Sequence, residues 1–314
     1  MADDGTDDAL RGAWFLAGPT AGGKSAVALE LARRLGGEIV SVDSMQVYRG
    51  LDVGTAKPAA AELAEVPHHL LDVCDLGEAF DVARFVRLAR AAADDIRRRR
   101  ATPIFCGGTG LYFRAVREGL DDSPSADARL RAELESKPLA ALVAELEALD
   151  PAGAAALDRH NPRRVVRALE ILRLTGRPLA DARRGRAARG ELPPLRVLRR
   201  EPADLRGRIE RRVDAMFAGG LVGETRRLLD AGLAASPTAG QALGYRQVIE
   251  HLTGARNLLA TVALVKTRTW QFARRQMTWF RGRPDVAWME VPAGEPPGDT
   301  AARLLAAAGV SSPR

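Results

Sequence analysis

The chain predicts an α/β fold: a parallel sheet flanked by helices, with an all-helical part inserted into it. Three observations lead there. Short buried-strand patterns alternate with helical ones over residues 13–118 and resume at 195. Glycine-bearing turns stand at strand-to-helix junctions, at 18–25 and at 107–110. Between 119 and 194 the strand signals stop and only helical periodicity remains. The expected organisation is therefore a tail over 1–12, an α/β core from 13–118 and 195–314, and a helical insertion over 119–194.

Each element has its own reason. Residues 1–12 (MADDGTDDALRG) are acidic and read as a disordered tail. Ala13-Trp14-Phe15-Leu16-Ala17 is an uninterrupted apolar run, the pattern of a buried strand. It leads into Gly18-Pro19-Thr20-Ala21-Gly22-Gly23-Lys24-Ser25, a glycine, four residues, then Gly-Lys-Ser, which is the P-loop spacing. Val27, Leu31 and Leu35 follow at helical spacing, closed by Gly36-Gly37. Strand, glycine loop and helix make a phosphate site, because the unpaired N–H groups of the loop and helix start converge on one point. Lys24 adds a full charge, and the Ser25 hydroxyl can hold Mg²⁺.

Glu38-Ile39-Val40-Ser41-Val42 is a second strand, ending on Asp43-Ser44-Met45-Gln46. Ligands of open parallel sheets bind outside the carboxyl ends of strands, so Asp43 should face the P-loop's crevice. Alternatively, Asp43-Ser44 only caps the turn. A loop-rich piece spans 47–67. His68-His69 precede the short apolar run Leu70-Leu71-Asp72-Val73; without further Cys or His beside them, they read as hydrogen-bonding residues and not zinc ligands. A helix is expected over 82–99, then a buried strand over 102–106, ending in Gly107-Gly108-Thr109-Gly110 and a helix with Leu111, Tyr112 and Phe113.

In the insertion, helices are expected over 128–135, 139–149 and 163–175, with a basic, glycine-bearing loop over 181–190. The core resumes with a strand over 195–198 and an amphipathic helix carrying Leu205, Ile209, Val213 and Met216 on one face. Its Arg206, Arg208, Arg211 and Arg212 lie mostly off that face. Further helices are expected over 222–231, 242–252 and 258–280, a short strand over 286–291, and one weakly marked helix in the tail. In the last long helix, Phe272, Gln276 and Trp279 fall near one face and read as core.

The formal net charge of +7 comes almost wholly from arginine, whose planar fork suits phosphate and stacks on bases. The balance hints at nucleic acid; a genome that favours Arg over Lys would explain the choice of cation but not the excess. Two cysteines, Cys74 and Cys106, sit among apolar residues and exclude a disulfide framework. No apolar stretch reaches membrane-spanning length and the start is acidic, so a cytoplasmic protein without a membrane partner is expected.

Taken alone, the loop fits an ATP-binding small-molecule kinase, or a nucleic-acid-binding ATPase with no group transfer. Such enzymes usually place a metal-binding carboxylate after an apolar strand. The best buried strand, 103–106, ends instead in Gly-Gly-Thr, and the best-placed carboxylate is Asp43.

A longer series of residues then becomes decisive. The P-loop, Ser41-Val42-Asp43-Ser44-Met45-Gln46-Val47-Tyr48-Arg49-Gly50 and Asp52-Val53-Gly54-Thr55-Ala56-Lys57-Pro58 resemble the tRNA dimethylallyltransferase (isopentenyl-tRNA transferase) family, in its bacterial form. So do Pro67-His68-His69-Leu70-Leu71-Asp72, Gly107-Gly108-Thr109-Gly110-Leu111-Tyr112, Asn161-Pro162-Arg163-Arg164, Gln241-Ala242-Leu243-Gly244-Tyr245 and Arg274-Arg275-Gln276-Met277-Thr278-Trp279-Phe280-Arg281. The resemblance implies a P-loop NTPase-like core and transfer of a dimethylallyl group from dimethylallyl diphosphate to the N6 amine of the adenine 3′-adjacent to a tRNA anticodon. It implies that Gly18, Pro19, Thr20, Ala21, Gly22, Gly23, Lys24 and Ser25 grip the diphosphate with Mg²⁺, and that Asp43 is the general base. Thr109 would stand beside the reacting centre. Arg226 would help to hold the diphosphate; read without the family it is a solvated helix face. Asp43, Ser44, Met45, Gln46 and Thr109 would bind tRNA, with Gln46 on the edge of the flipped adenine. Arg131, Arg163, Arg164 and Arg167 would meet the anticodon stem-loop, although Arg131 by itself reads as a surface charge. A monomer is expected. Two departures, Gly22 where the family often has Ser and Ser25 where it often has Thr, keep the loop geometry and the hydroxyl.

Overall fold

The computed structural model describes residues 10–120, 123–124, 127–182, 194–236 and 238–310. Most of the expected tail, and the basic loop from 183 onward, lie outside the described residues. The described chain divides into two compact units, one of residues up to Arg117 together with Gly190 onward, the other Glu118–Arg189.

In the first unit β1 (Trp14–Ala17) enters the P-loop and α1 (Lys24–Leu35), which ends on Gly36 in the left-handed region at φ 58°. Then come β2 (Gly37–Val42), α2 (Ala60–Glu65), β3 (His68–His69), α3 (Val82–Arg98), β4 (Thr102–Gly107) and α4 (Gly110–Glu118). The second unit holds α5 (Ala128–Glu135), α6 (Leu139–Leu149), α7 (Pro151–Ala155), α8 (Pro162–Thr175) and α9 (Leu179–Ala182). The first unit closes with β5 (Leu195–Arg199), α10 (Pro202–Ala218), α11 (Leu221–Asp230), α12 (Tyr245–Leu252), α13 (Leu258–Arg281), β6 (Val286–Glu290) and α14 (Pro297–Ala307).

The sheet order is β3-β2-β4-β1-β5-β6, and every pairing is parallel. Alternation along β1 explains the layering. Phe15 and Ala17 pack on the side of α3, α4, α11 and α12, whereas Trp14 and Leu16 pack with α1 and α14. The third strand is only His68–His69; the apolar run after it bends away, with Leu70 and Asp72 at positive φ. The weakly marked tail helix is well anchored, with Ala301, Leu304 and Leu305 buried in the α1 layer.

The helical unit has its own core of Leu134, Leu142, Leu146, Val165, Leu169 and their neighbours. Among the described residues, no helix is long and apolar enough to cross a membrane.

Candidate active site

Parallel pairing settles where the functional turns lie. β1, β4 and β2 are neighbours running the same way, so the P-loop, the Gly107-Gly108-Thr109 turn and Asp43 all leave the same edge of the sheet. Gly108 and Thr109 both donate their N–H groups to the Val42 carbonyl (3.2 Å each), and Thr109 Oγ1 accepts from the Ser44 N–H at 3.2 Å. The ends of β4 and β2 are thus tied together.

The P-loop is held from outside itself. Its turn needs two left-handed residues, Ala21 at φ 60° and Gly23 at φ 93°; the former costs a side chain of the order of 1 kcal/mol. Arg208 Nε donates to the Ala21 carbonyl and Arg200 Nε to the Gly22 carbonyl, both at 2.8 Å. Lys24 Nζ and the Gly22 N–H share the Pro19 carbonyl, at 3.3 and 3.1 Å. With the carbonyls occupied, the loop presents Ala21, Gly23, Lys24 and Ser25 to a cavity of about 290 Å³, whose other wall is Arg208, Arg211 and Arg212 of α10. Pro19 lies instead on a separate cavity, with Trp270, Arg274 and Arg281.

The electrostatics are those of an anion site. Loss of water around its ammonium lowers the Lys24 pKa; Arg212 acts in the same direction, while Cys106 and Asp43 oppose it. Burial likewise lowers the Arg212 pKa, partly offset by Asp43. Among the described residues, none of Arg208, Arg211 and Arg212 has a carboxylate at ion-pair distance, and the buried Arg212 Nε has no hydrogen-bond partner. Arg211 is exposed, but Arg208 and Arg212 have lost water, and poorly hydrated cations without a carboxylate are costly unless an anion arrives.

Asp43 caps its turn, and its charge also acts on Lys24 and Arg212. Its Oδ1 caps the turn, accepting from the N–H groups of Met45 (2.8 Å) and Gln46 (3.4 Å). Oδ2 has no partner among the described residues. The half-buried Gln46 is engaged at both ends of its amide: Ser41 Oγ donates to Oε1, and Nε2 donates to the carbonyls of Thr55 and Ala56 at 3.2 and 3.3 Å. Thr55 also accepts from Arg212 at 3.4 Å, which joins the Gln46 side of the site to the phosphate side. The loop carrying Thr55 is anchored by the buried Glu224, which accepts from the Val53 and Gly54 N–H groups and from the Tyr245 hydroxyl.

Arg226 is exposed on α11 and is not among the residues lining the phosphate cavity. The arginines that do line it, on α10, read in the sequence as the polar face of an amphipathic helix; their 3–4-residue spacing marks one helix face, and only the fold brings that face to the P-loop. In the helical unit, Arg131 and Arg167 both pair with the fully buried Glu170, at 2.7 and 2.6 Å, whereas Arg163 and Arg164 are exposed at the start of α8. His69 hydrogen-bonds Glu38 and His68 the Val66 carbonyl, in keeping with hydrogen-bonding roles.

Fold and site together define a P-loop α/β protein in which one sheet edge carries both the glycine loop and a carboxylate on the next strand but one. The kinase pattern is not favoured, since β4 ends without a carboxylate. The family model described as IPP transferase matches residues 46–283, and one described as isopentenyl transferase matches 12–79. The tRNA dimethylallyltransferase of Geobacter metallireducens is 47% identical over 283 residues, covering 88% of this chain and 91% of that protein. The crystal structure of the tRNA isopentenylpyrophosphate transferase of Bacillus halodurans matches with a TM-score of 0.68 at 39% identity, covering 94% of each chain. A eukaryotic dimethylallyltransferase acting on tRNA matches with a TM-score of 0.79 at 25% identity, covering 96% of this chain and 81% of that one. The chain belongs to the IPP transferase family.

Proposed function

We propose that this chain transfers the dimethylallyl group of dimethylallyl diphosphate to the N6 amine of the adenine 3′-adjacent to the anticodon of tRNA, giving isopentenyladenosine and diphosphate. The observation that carries the reading is the shared edge: a cationic phosphate cradle and the free oxygen of Asp43 lie at the ends of strands on either side of β4.

The chemistry follows from those groups. The bond between the prenyl C1 and the diphosphate oxygen breaks with its electron pair leaving on the diphosphate, and the adenine N6 forms the new bond to C1. Loop N–H groups, Lys24 and Arg212 stabilise charge as it gathers on the leaving group. Asp43 Oδ2 takes the proton that N6 sheds. Thr109 supports the Asp43 turn through Ser44. Gln46 can meet the adenine edge by exchanging its bonds to Thr55 and Ala56.

Among the described residues no group of three or more His, Cys, Asp or Glu side chains is arranged to hold a metal ion. Mg²⁺ relies on substrate phosphates, water and one or two protein ligands; the hydroxyl of Ser25, exposed on the cavity wall, would hold it. The ion would supply further neutralisation of the diphosphate. The helical unit, with Arg163 and Arg164 exposed, would grip the stem-loop through phosphates.

Incubation with labelled dimethylallyl diphosphate and bulk tRNA tests the proposal. Label is expected in RNA as isopentenyladenosine by nucleoside mass spectrometry. ATP turnover with no label in RNA would overturn it.

A further inference from the structure

Gln276 of α13 is 7% exposed and joins two turns that lie far apart in sequence. Its Oε1 accepts from the Thr20 N–H of the P-loop at 2.9 Å, and its Nε2 donates to the Gly108 carbonyl at 3.1 Å. The fit is close: a Cβ added to Gly108 would stand 2.2 Å from Nε2. A primary amide alone among side chains of this size offers an acceptor and a donor in this fixed geometry.

The two bonds meet opposite halves of the site. Thr20 precedes the residues that present N–H groups to the phosphate cavity, while Gly108 precedes Thr109, whose hydroxyl holds the Asp43 turn through Ser44. With its N–H committed to Gln276, Thr20 does not compete for phosphate, and Ala21, Gly23, Lys24 and Ser25 line the cavity. We propose that Gln276 is a positioning residue that sets the separation between the leaving-group cradle and the acceptor side of the reaction. The inference rests on the function proposed above for what is transferred, but not for the strut itself.

The test uses the full chain with Gln276→Leu, which removes both bonds at similar size, and Gln276→Glu, which keeps the acceptor for Thr20 and sets an oxygen against the Gly108 carbonyl. Four quantities are measured: kcat, KM for dimethylallyl diphosphate, Kd for inorganic pyrophosphate and Kd for tRNA. For Gln276→Leu, kcat should fall on the order of 10²-fold, as expected for a misplacement of about 1 Å. Pyrophosphate should bind several-fold more weakly, and tRNA binding should stay within about twofold. Gln276→Glu should also lose kcat despite its similar shape. Wild-type kcat and pyrophosphate affinity in both variants would overturn the proposal. So would a loss of tRNA and pyrophosphate binding in step with the melting temperature, because that is general unfolding. If the wild type itself transfers nothing, the proposed function fails, and the pyrophosphate comparison still decides the strut.

Discussion

Arginine is used in opposite ways in the two units. Around the P-loop, Arg200 and Arg208 each donate Nε–H to a loop carbonyl, Arg200 being also paired with Asp204 at 3.0 Å, and Arg208, Arg211 and Arg212 line a cavity with no carboxylate within ion-pair distance of them among the described residues. In the helical unit, Arg131 and Arg167 converge on Glu170, whose carboxylate also accepts the Asp127 N–H. The first arrangement leaves positive charge waiting for an anion. The second consumes charge internally at Glu170, while Arg163 and Arg164 are among the described arginines of that unit that stay exposed. The difference teaches that an arginine count measures capacity and not use. What stands opposite each guanidinium decides between binding and structure.

Four measurements would break or sharpen that contrast. The largest effect should come from Asp43→Ala, with transfer reduced about 10²- to 10⁴-fold and tRNA binding within about twofold; equal rates in mutant and wild type would refute the base assignment. Next, Arg212→Ala should cost about 10²- to 10³-fold in transfer, as for loss of one charge-stabilising donor, whereas Arg226→Ala should cost less than about tenfold on the same criterion. The reverse order in steady-state kinetics would return the diphosphate role to α11.

Smaller effects are expected at residues that take no part in the transfer step. Arg163→Ala with Arg164→Ala should weaken tRNA binding and flatten its dependence on log salt by about 1.5 units, at roughly 0.7–0.9 per phosphate contact. A double variant with an unchanged slope would remove these two from the RNA-facing surface. The smallest effect concerns Cys106, whose pKa burial raises to about 11 from an ordinary 9.0. Between those values the unfolded thiol loses its proton first, so the unfolded state binds fewer protons and stability falls as pH rises. Urea titrations at pH 8.5 and 10.5 should show that decline lessened in Cys106→Ala.

Much of the site was legible because it is local. The P-loop, the turn of Asp43 and the Gly107-Gly108-Thr109 turn each announce a backbone conformation within a few residues, and buried parallel strands imply a common edge for their ends. Less was legible where a side chain acts across the fold. Gln276 read as part of an apolar face with Phe272 and Trp279, yet it is a polar strut, and Phe272 is 38% exposed with Arg275 over its ring. The α10 arginines, for the same reason, read only as lying off the apolar face of their helix.

The amino-acid order by itself determined the strands, the helices and the shape of the phosphate loop, because these depend on backbone sterics and the periodic spacing of apolar residues. Only tertiary structure decided which guanidiniums meet loop carbonyls, which meet a buried carboxylate and which face an open anion cavity. The worth of a charge depends on the water it has lost and the groups it faces through space, and neither is encoded in its neighbours along the chain.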